Sequence, residues 1–288
     1  MKTVLLLALG DTIAHRRGSV ATGAELVASL GTLPVRVVAE DLMAEPSWDV
    51  STGTMLAVAR RVRSALVDDE FAGVVVSHGV DNLGEMAFLT DLLVSARGGI
   101  VFTGAFQGWD ASGSDGPRNL ADSLVAAGDP VLARAGALVC LDGKLHPART
   151  FALGGAPVLD LDELPERWPE FRGEPETDVA LLRVYPELPS AVIDTLVDRG
   201  ARAIVLEGTG RGSVPVELFG TIGGVSSWDI PVVVAGRGRG DSLGAGMVQQ
   251  MGAISARWLS AGHARIATMV ALGNGGGAKA VAEWFDRI

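Results

Sequence analysis

The chain has 288 residues, 48% hydrophobic and only 5% aromatic, enough for two α/β domains with cores built mostly of Val, Leu, Ala and Ile. A formal net charge of −10 argues against a phosphate-backbone partner, whose affinity would come from Lys and Arg, and no apolar run approaches the roughly 20 residues that span a bilayer. Neither nucleic acid nor membrane is an expected partner. The single cysteine, Cys140, excludes an intramolecular disulfide and fits a reducing compartment, with the cytoplasm as the default.

The first ten residues read as a buried strand over 4–9. A secretory leader is the poorer reading, because the apolar run is short and meets Asp11 without a small-residue cleavage site. A helix over 24–30, a strand over 35–39 and a helix over 54–67 follow. Next come a strand over 74–77, a helix over 83–96, a strand over 100–103 and a helix over 120–127. This alternation predicts a parallel, doubly wound sheet whose ligand sites lie beyond the carboxyl ends of the strands. The segments 137–141 and 144–145, joined at Asp142-Gly143, predict a β-hairpin. From about 153 to 177 the chain is rich in Pro, Glu and Asp, with Trp168 and Phe171 as isolated anchors, and reads as an interdomain linker. A second α/β pattern has strands over 179–184, 203–206 and 232–235, and helices over 190–199, 216–226, 247–255, 264–272 and 278–287. The expected division is 1–155, a linker over 156–177, and a smaller domain over 178–288. The 38 glycines are about twice the usual share and cluster where strands end.

Four N-terminal stretches carry chemistry-bearing residues at strand ends. The first is Ala8-Leu-Gly-Asp-Thr-Ile-Ala14, which puts the Thr12 hydroxyl where a strand stops. The second is Glu45-Pro-Ser47, in isolation an ordinary turn. The third is Gly73-Val-Val-Val-Ser-His-Gly-Val-Asp-Asn-Leu-Gly-Glu-Met-Ala-Phe88, a buried strand that ends at His78-Gly79 and delivers Asp81 to a helix start. Asp81 there could equally cap the helix. The fourth is Thr103-Gly-Ala with Ser114-Asp-Gly-Pro-Arg-Asn-Leu120, a turn and helix start suited to shaping the carboxyl edge of the sheet.

In number and order these stretches resemble the signatures of the bacterial L-asparaginase/glutaminase family: Gly-Gly-Thr-Ile-Ala, the Ser of the second stretch, Thr-His-Gly-Thr-Asp-Thr, and Ser-x-Asp-Gly-Pro-x-Asn-Leu. The resemblance implies a larger N-terminal doubly wound, flavodoxin-like domain and a smaller C-terminal α/β domain. It implies Thr12 as nucleophile, Ser47 on a substrate α-carboxylate, and Asp81 on the α-amine and in proton relay. It places His78, Gly79 and Val80 around the ligand, with the backbone N–H groups of Gly79 and Val80 turned to a carbonyl oxygen. It further implies a homodimer or homotetramer in which a neighbour completes each pocket, with Ser260 at the cross-subunit contact. A small-molecule substrate is expected, with no cofactor and no metal.

The departures are specific. Val80 stands where the family has its second threonine, and Leu153 is the best match to its lysine. The lid loop over 13–24 lacks the family's tyrosine and holds His15, Arg16 and Arg17; the one tyrosine, Tyr185, lies in the second half. Loss of a general acid or base costs about 10²–10⁴-fold, so little ordinary asparaginase turnover is expected. Three readings stay open: hydrolysis of an unusual small or natural-product amide by Thr12, a non-hydrolytic cyclase, lyase or isomerase using the old pocket, and a silent amino-acid-binding protein. Rival motifs are weak. The Gly236-Arg-Gly-Arg-Gly240 run lacks dinucleotide spacing, four scattered histidines show no metal spacing, and Gly-x-Ser-x-Gly is absent.

Overall fold

The structure is a computed structural model that describes residues 1–164, 171, 173–237 and 245–287. It divides into two compact units, Met1–Glu170 and Phe171–Ile288. Trp168 and part of the 236–240 glycine-arginine run lie outside the described residues.

The first unit runs β1 (Thr3–Ala8), β2 (His15–Arg16), β3 (Ser19–Val20), α1 (Gly23–Ala28), β4 (Arg36–Asp41), α2 (Thr52–Val67), β5 (Gly73–Ser77), α3 (Leu83–Leu93), β6 (Gly99–Thr103), α4 (Gly116–Ala127), β7 (Ala137–Leu141) and β8 (Lys144–Pro147). Its six-stranded sheet has the order β4-β1-β5-β6-β7-β8, parallel throughout except that β8 returns antiparallel along β7. The inner strands β5, β6 and β7 are buried at every position, as continuous apolar runs covered on both faces require. Strand β4, at the edge, alternates exposed and half-buried residues.

Chain order and sheet order diverge at one place. From β1 the chain moves outward to β4 and then returns to the other side of β1 as β5, so the connections leave in opposite directions between β1 and β5. In open α/β sheets this switch point opens a crevice at the carboxyl ends of the strands. Here β1 runs out at Ala8 and β5 at Ser77, in register with each other, and Leu9 N–H donates to the Ser77 carbonyl at 3.0 Å.

The second unit has a four-stranded parallel sheet, β12-β11-β10-β9, formed by β9 (Val179–Arg183), β10 (Ala203–Glu207), β11 (Val232–Ala235) and β12 (Ile254–Ser255). Its helices are α5 (Ala191–Asp198), α6 (Phe219–Ser227), α7 (Ala245–Gln250), α8 (Ala261–Gly273) and α9 (Gly277–Asp286). The core packs Ile204, Leu206, Val232 and Val234 of the sheet against Ile193, Ile222 and Val248.

Two elements differ from the expectation. The helix expected over 247–255 stops at Gln250, and Ile254–Ser255 joins the sheet beside β11. Gly252, at φ 75, turns the chain there, a position that favours glycine. The short apolar run after it has no periodicity to separate a buried strand from a helix. The lid segment, expected as a loop, folds as a β2–β3 ribbon in which His15 pairs with Val20 and Arg16 with Ser19, tied down by the Trp109 N–H on the His15 carbonyl at 2.8 Å. Residues 156–164 belong to the first unit: Leu159 N–H donates to the Leu145 carbonyl at 2.7 Å, and His146 Nδ1 meets the Pro157 carbonyl at 2.8 Å. Among the described residues no helix is long and apolar enough to cross a membrane.

Strand β5 starts on a glycine with no spare room. A Cβ at Gly73 would lie 2.0 Å from the Ala127 carbonyl oxygen at the end of α4. Backbone cannot yield as a side chain can, so Gly73→Ala should destabilise the fold by about 1–3 kcal/mol, read as a lower midpoint in urea unfolding.

Candidate active site

Five chain segments converge at the switch point. Strand β1 ends in Leu9-Gly-Asp11, and a short 3-10 turn, Thr12–Ala14, begins at once with Asp11 as its cap. After β4, Pro46 starts a second 3-10 turn, Ser47–Asp49. Strand β5 runs into His78, Gly79, Val80 and Asp81, and α3 begins at Leu83 after Asn82. The fourth stretch holds the neighbouring edge. The Asp115 carboxylate accepts the N–H groups of Phe106 and Gln107, Asn119 donates to the Gly104 carbonyl at 3.0 Å, and its oxygen accepts the Asp142 N–H. That stretch therefore shapes the sheet edge, as its sequence suggested.

Ser47 is the centre of the cluster and is fully buried. Its N–H donates to Asp11 Oδ2 at 2.5 Å, its hydroxyl to Asp81 Oδ2 at 2.7 Å, and its carbonyl accepts Asn82 Nδ2 at 2.5 Å. Asn82 Oδ1 in turn lies 2.9 Å from His78 Nε2. On the other side, Asp11 Oδ1 accepts the Thr12 N–H at 2.5 Å and the Thr12 hydroxyl at 3.0 Å. One network thus links Thr12, Asp11, Ser47, Asp81, Asn82 and His78. Thr12 and Val80 are half-buried and Asp81 is exposed, so the cluster opens outward on the side of the hydroxyl and the second carboxylate. Among the described residues, neither the Gly79 nor the Val80 N–H is spent on a backbone carbonyl.

Asp81 does not cap α3; its carboxylate goes to Ser47, and Asn82 takes the cap position without a side-chain bond to the helix. Leu153, at the position of the family's lysine, is 46% exposed. Ser260 lies in the second unit, where it caps α8: its hydroxyl accepts the His263 N–H and meets His263 Nδ1 at 2.7 Å. Among the described residues no cluster of three or more His, Cys, Asp or Glu side chains is placed to hold a metal ion. Cys140, in β7, is buried, and burial raises its thiol pKa, as for an inert core cysteine.

Two residues of the network escaped the sequence reading, Asp11 and Asn82. The signal for Asp11 was present: it stands where the resembled motif has its second glycine. Its backbone, at φ 66 and ψ −164, lies in a region used almost only by glycine, at a cost of about 1–3 kcal/mol. Asp11 is 6% exposed, and its carboxylate is held in place by three hydrogen-bond donors. Burial works to raise its pKa, and the bonds from Ser47 and Thr12 outweigh burial, so the group stays below the ordinary aspartate value. His78 is shifted down chiefly by burial, against the opposing effects of Asn82, Asp11 and Asp81; its Nδ1 is buried without a hydrogen-bond partner. The imidazole is therefore neutral at pH 7.

A doubly wound unit with a hydroxyl at its switch point, followed by a smaller parallel unit, defines a class of two-domain α/β proteins. Comparison with known proteins narrows the class. Residues 3–153 match the family model "Asparaginase, N-terminal", and residues 178–285 match "Glutaminase/Asparaginase C-terminal domain". The chain belongs to the asparaginase family. It is 27% identical over 249 residues to an L-asparaginase of Bacillus licheniformis, covering 77% of each chain. It is 25% identical over 251 residues to a glutaminase-asparaginase of Pseudomonas fluorescens biotype A, covering 74% of this chain and 69% of that one. The crystal structure of a probable cytoplasmic L-asparaginase from Campylobacter jejuni superimposes with a TM-score of 0.85 over 99% of both chains at 20% identity, a likeness of fold.

Both shifted groups of the network destabilise the fold toward acid. His78 is depressed in the folded state, so its contribution is complete above the unfolded value near ~6.5 and is lost as pH falls toward its folded value. Asp11 behaves alike at lower pH: its contribution is present above about 3.9 and is lost as pH falls through the depressed folded value. Chemical unfolding at a series of pH values should show stability falling below about pH 6.5, and His78→Gln should flatten that first slope.

Proposed function

We propose that this protein is an amide hydrolase of the asparaginase type, that Thr12 is its nucleophile, and that it turns over ordinary L-asparagine weakly. The observation that carries the reading is the Thr12 hydroxyl at 3.0 Å from Asp11 Oδ1, half-buried at the carboxyl end of β1. A carbonyl bound across the gap from Thr12 would find the Gly79 and Val80 N–H groups as donors for the oxygen that becomes negative on attack. The Thr12 oxygen adds to the carbonyl carbon, and its proton passes to Asp11 as the tetrahedral adduct forms. The proton then goes to the leaving nitrogen, ammonia departs, and a threonyl ester remains for water to hydrolyse to the acid. Asp11 thereby fills part of the proton-handling role that Val80 cannot fill.

The same observation explains weak turnover. A carboxylate held below its ordinary pKa is a poor proton acceptor, and a missing or mismatched general base typically costs about 10²–10⁴-fold. The neutral imidazole of His78 orients Asn82, and through it Ser47, and makes no direct hydrogen bond to Thr12. We further propose a homodimer or homotetramer, testable by sedimentation. Ser260 enters such an assembly with its hydroxyl already used inside its own unit.

Ammonia release from a panel of small amides is the direct assay. Thr12→Ala should lower the rate by about 10³-fold or more while leaving the unfolding midpoint near that of the wild type. Unchanged ammonia release in that variant would refute the assignment. Conversion of an amide to an isomer with no ammonia would instead favour non-hydrolytic use of the pocket.

A further inference from the structure

We infer that Asp11 sets the substrate class of this site: its carboxylate occupies the place of a substrate carboxylate, so the site takes a small amide bearing a positive charge and no free carboxylate. The inference rests on the reading of the Thr12 cluster as the amide-processing site and adds to it the identity of the group beside the amide.

The resemblance gives Ser47 the task of holding an α-carboxylate. In this chain all of Ser47's polar groups are committed internally. The N–H goes to Asp11, the hydroxyl to Asp81 and the carbonyl to Asn82. A ligand carboxylate would have to displace Asp11 from the Ser47 N–H and Asp81 from the hydroxyl, and would then face both anions.

Space leads to the same conclusion. A Cβ built on Gly79 would meet Asp11 Oδ2 at 2.1 Å and Ser47 Oγ at 2.2 Å, so the room over this glycine is already filled by the Asp11 carboxylate and the Ser47 hydroxyl. A bound carboxylate and Asp11 cannot share it.

Charge balance then selects the ligand. Asp11 and Asp81 are both bonded to Ser47, and among the described residues no Lys or Arg forms an ion pair with either. In the adjoining ribbon the Arg16 guanidinium donates to the Glu25 carbonyl. His78, buried and within the electrostatic reach of both carboxylates, is shifted toward its neutral form by that burial and adds no positive charge at pH 7. Two carboxylates with a neutral neighbour and no guanidinium or ammonium suit a cation. At an effective dielectric of about 20, one like charge roughly 5 Å away weakens an anionic ligand on the order of 100-fold, and an opposite charge helps a cationic one comparably.

The test uses amides that share one three-carbon frame and differ only in charge. L-Asparagine carries ammonium and carboxylate, succinamate the carboxylate alone, β-alaninamide the ammonium alone, and propanamide neither. Calorimetry on the Thr12→Ala protein measures binding without consumption. The expected result is tightest binding of β-alaninamide, about tenfold or more above propanamide, with asparagine and succinamate weaker than propanamide. Asp11→Gly should bring asparagine and succinamate up on the order of 100-fold relative to β-alaninamide. Asp11→Asn, nearly the same shape without the charge, should move them the same way by at least about tenfold, and it keeps the test intact if the glycine variant misfolds.

Asparagine or succinamate binding as well as β-alaninamide would overturn the inference, as would no binding by any of the amides or no shift in Asp11→Asn. Ammonia release by the wild type separates this outcome from the catalytic reading. β-Alaninamide bound first but never hydrolysed leaves Asp11's role intact and removes Thr12 hydrolysis. Asparagine hydrolysed as fast as β-alaninamide does the reverse.

Discussion

A single buried carboxylate holds the carboxyl edge of the larger sheet in its observed form. Asp11 joins the end of β1 to the turn after β4 through the Ser47 N–H, and it fixes the start of the next 3-10 turn through the Thr12 N–H. Ser47 then passes the constraint to the end of β5 through Asp81 and Asn82. Three segments far apart in sequence are thus held by charge-assisted bonds, which are shorter and stronger than neutral ones. The backbone strain at Asp11 is tolerated because the surrounding donors fix its side chain, a condition under which unfavourable dihedrals persist at functional sites.

The sheet order decides where this happens. The carboxyl ends of β1 and β5 lie side by side because the chain crosses between them, and a crevice follows from topology before any side chain is considered. Sequence patterning was sufficient for that much: each inner strand is a short apolar run ending in glycine or a polar turn, and each helix repeats apolar residues at helical spacing. It was not sufficient at Ile254–Ser255, where two residues are too few to show any period. It also failed at the β2–β3 ribbon, whose two-residue strands are too short to show any alternation.

The site was legible in part for a related reason. Thr12, Ser47, His78, Gly79, Val80 and Asp81 stand at strand ends within recognisable stretches, and the first unit brings them together. What linear order could not show is direction. The Ser47 hydroxyl could have pointed to open space, and only the fold shows it donating to Asp81. Asp11 was visible as an odd letter in a glycine motif, yet its meaning depends on a side chain that crosses to a segment 36 residues away. Leu153, singled out for its place in the chain, is about half exposed.

The left-handed backbone at Asp11 has an evolutionary reading as well. Glycine is the residue for which that conformation carries no penalty, and aspartate and glycine codons differ only at their middle base. A single transition therefore separates a chain whose own carboxylate fills the seat beside Ser47 from one in which that seat is empty. The backbone suits glycine without cost and keeps aspartate because the donors around its side chain hold it there. The two states of the site are mutational neighbours, with no intermediate sequence between them that must also fold.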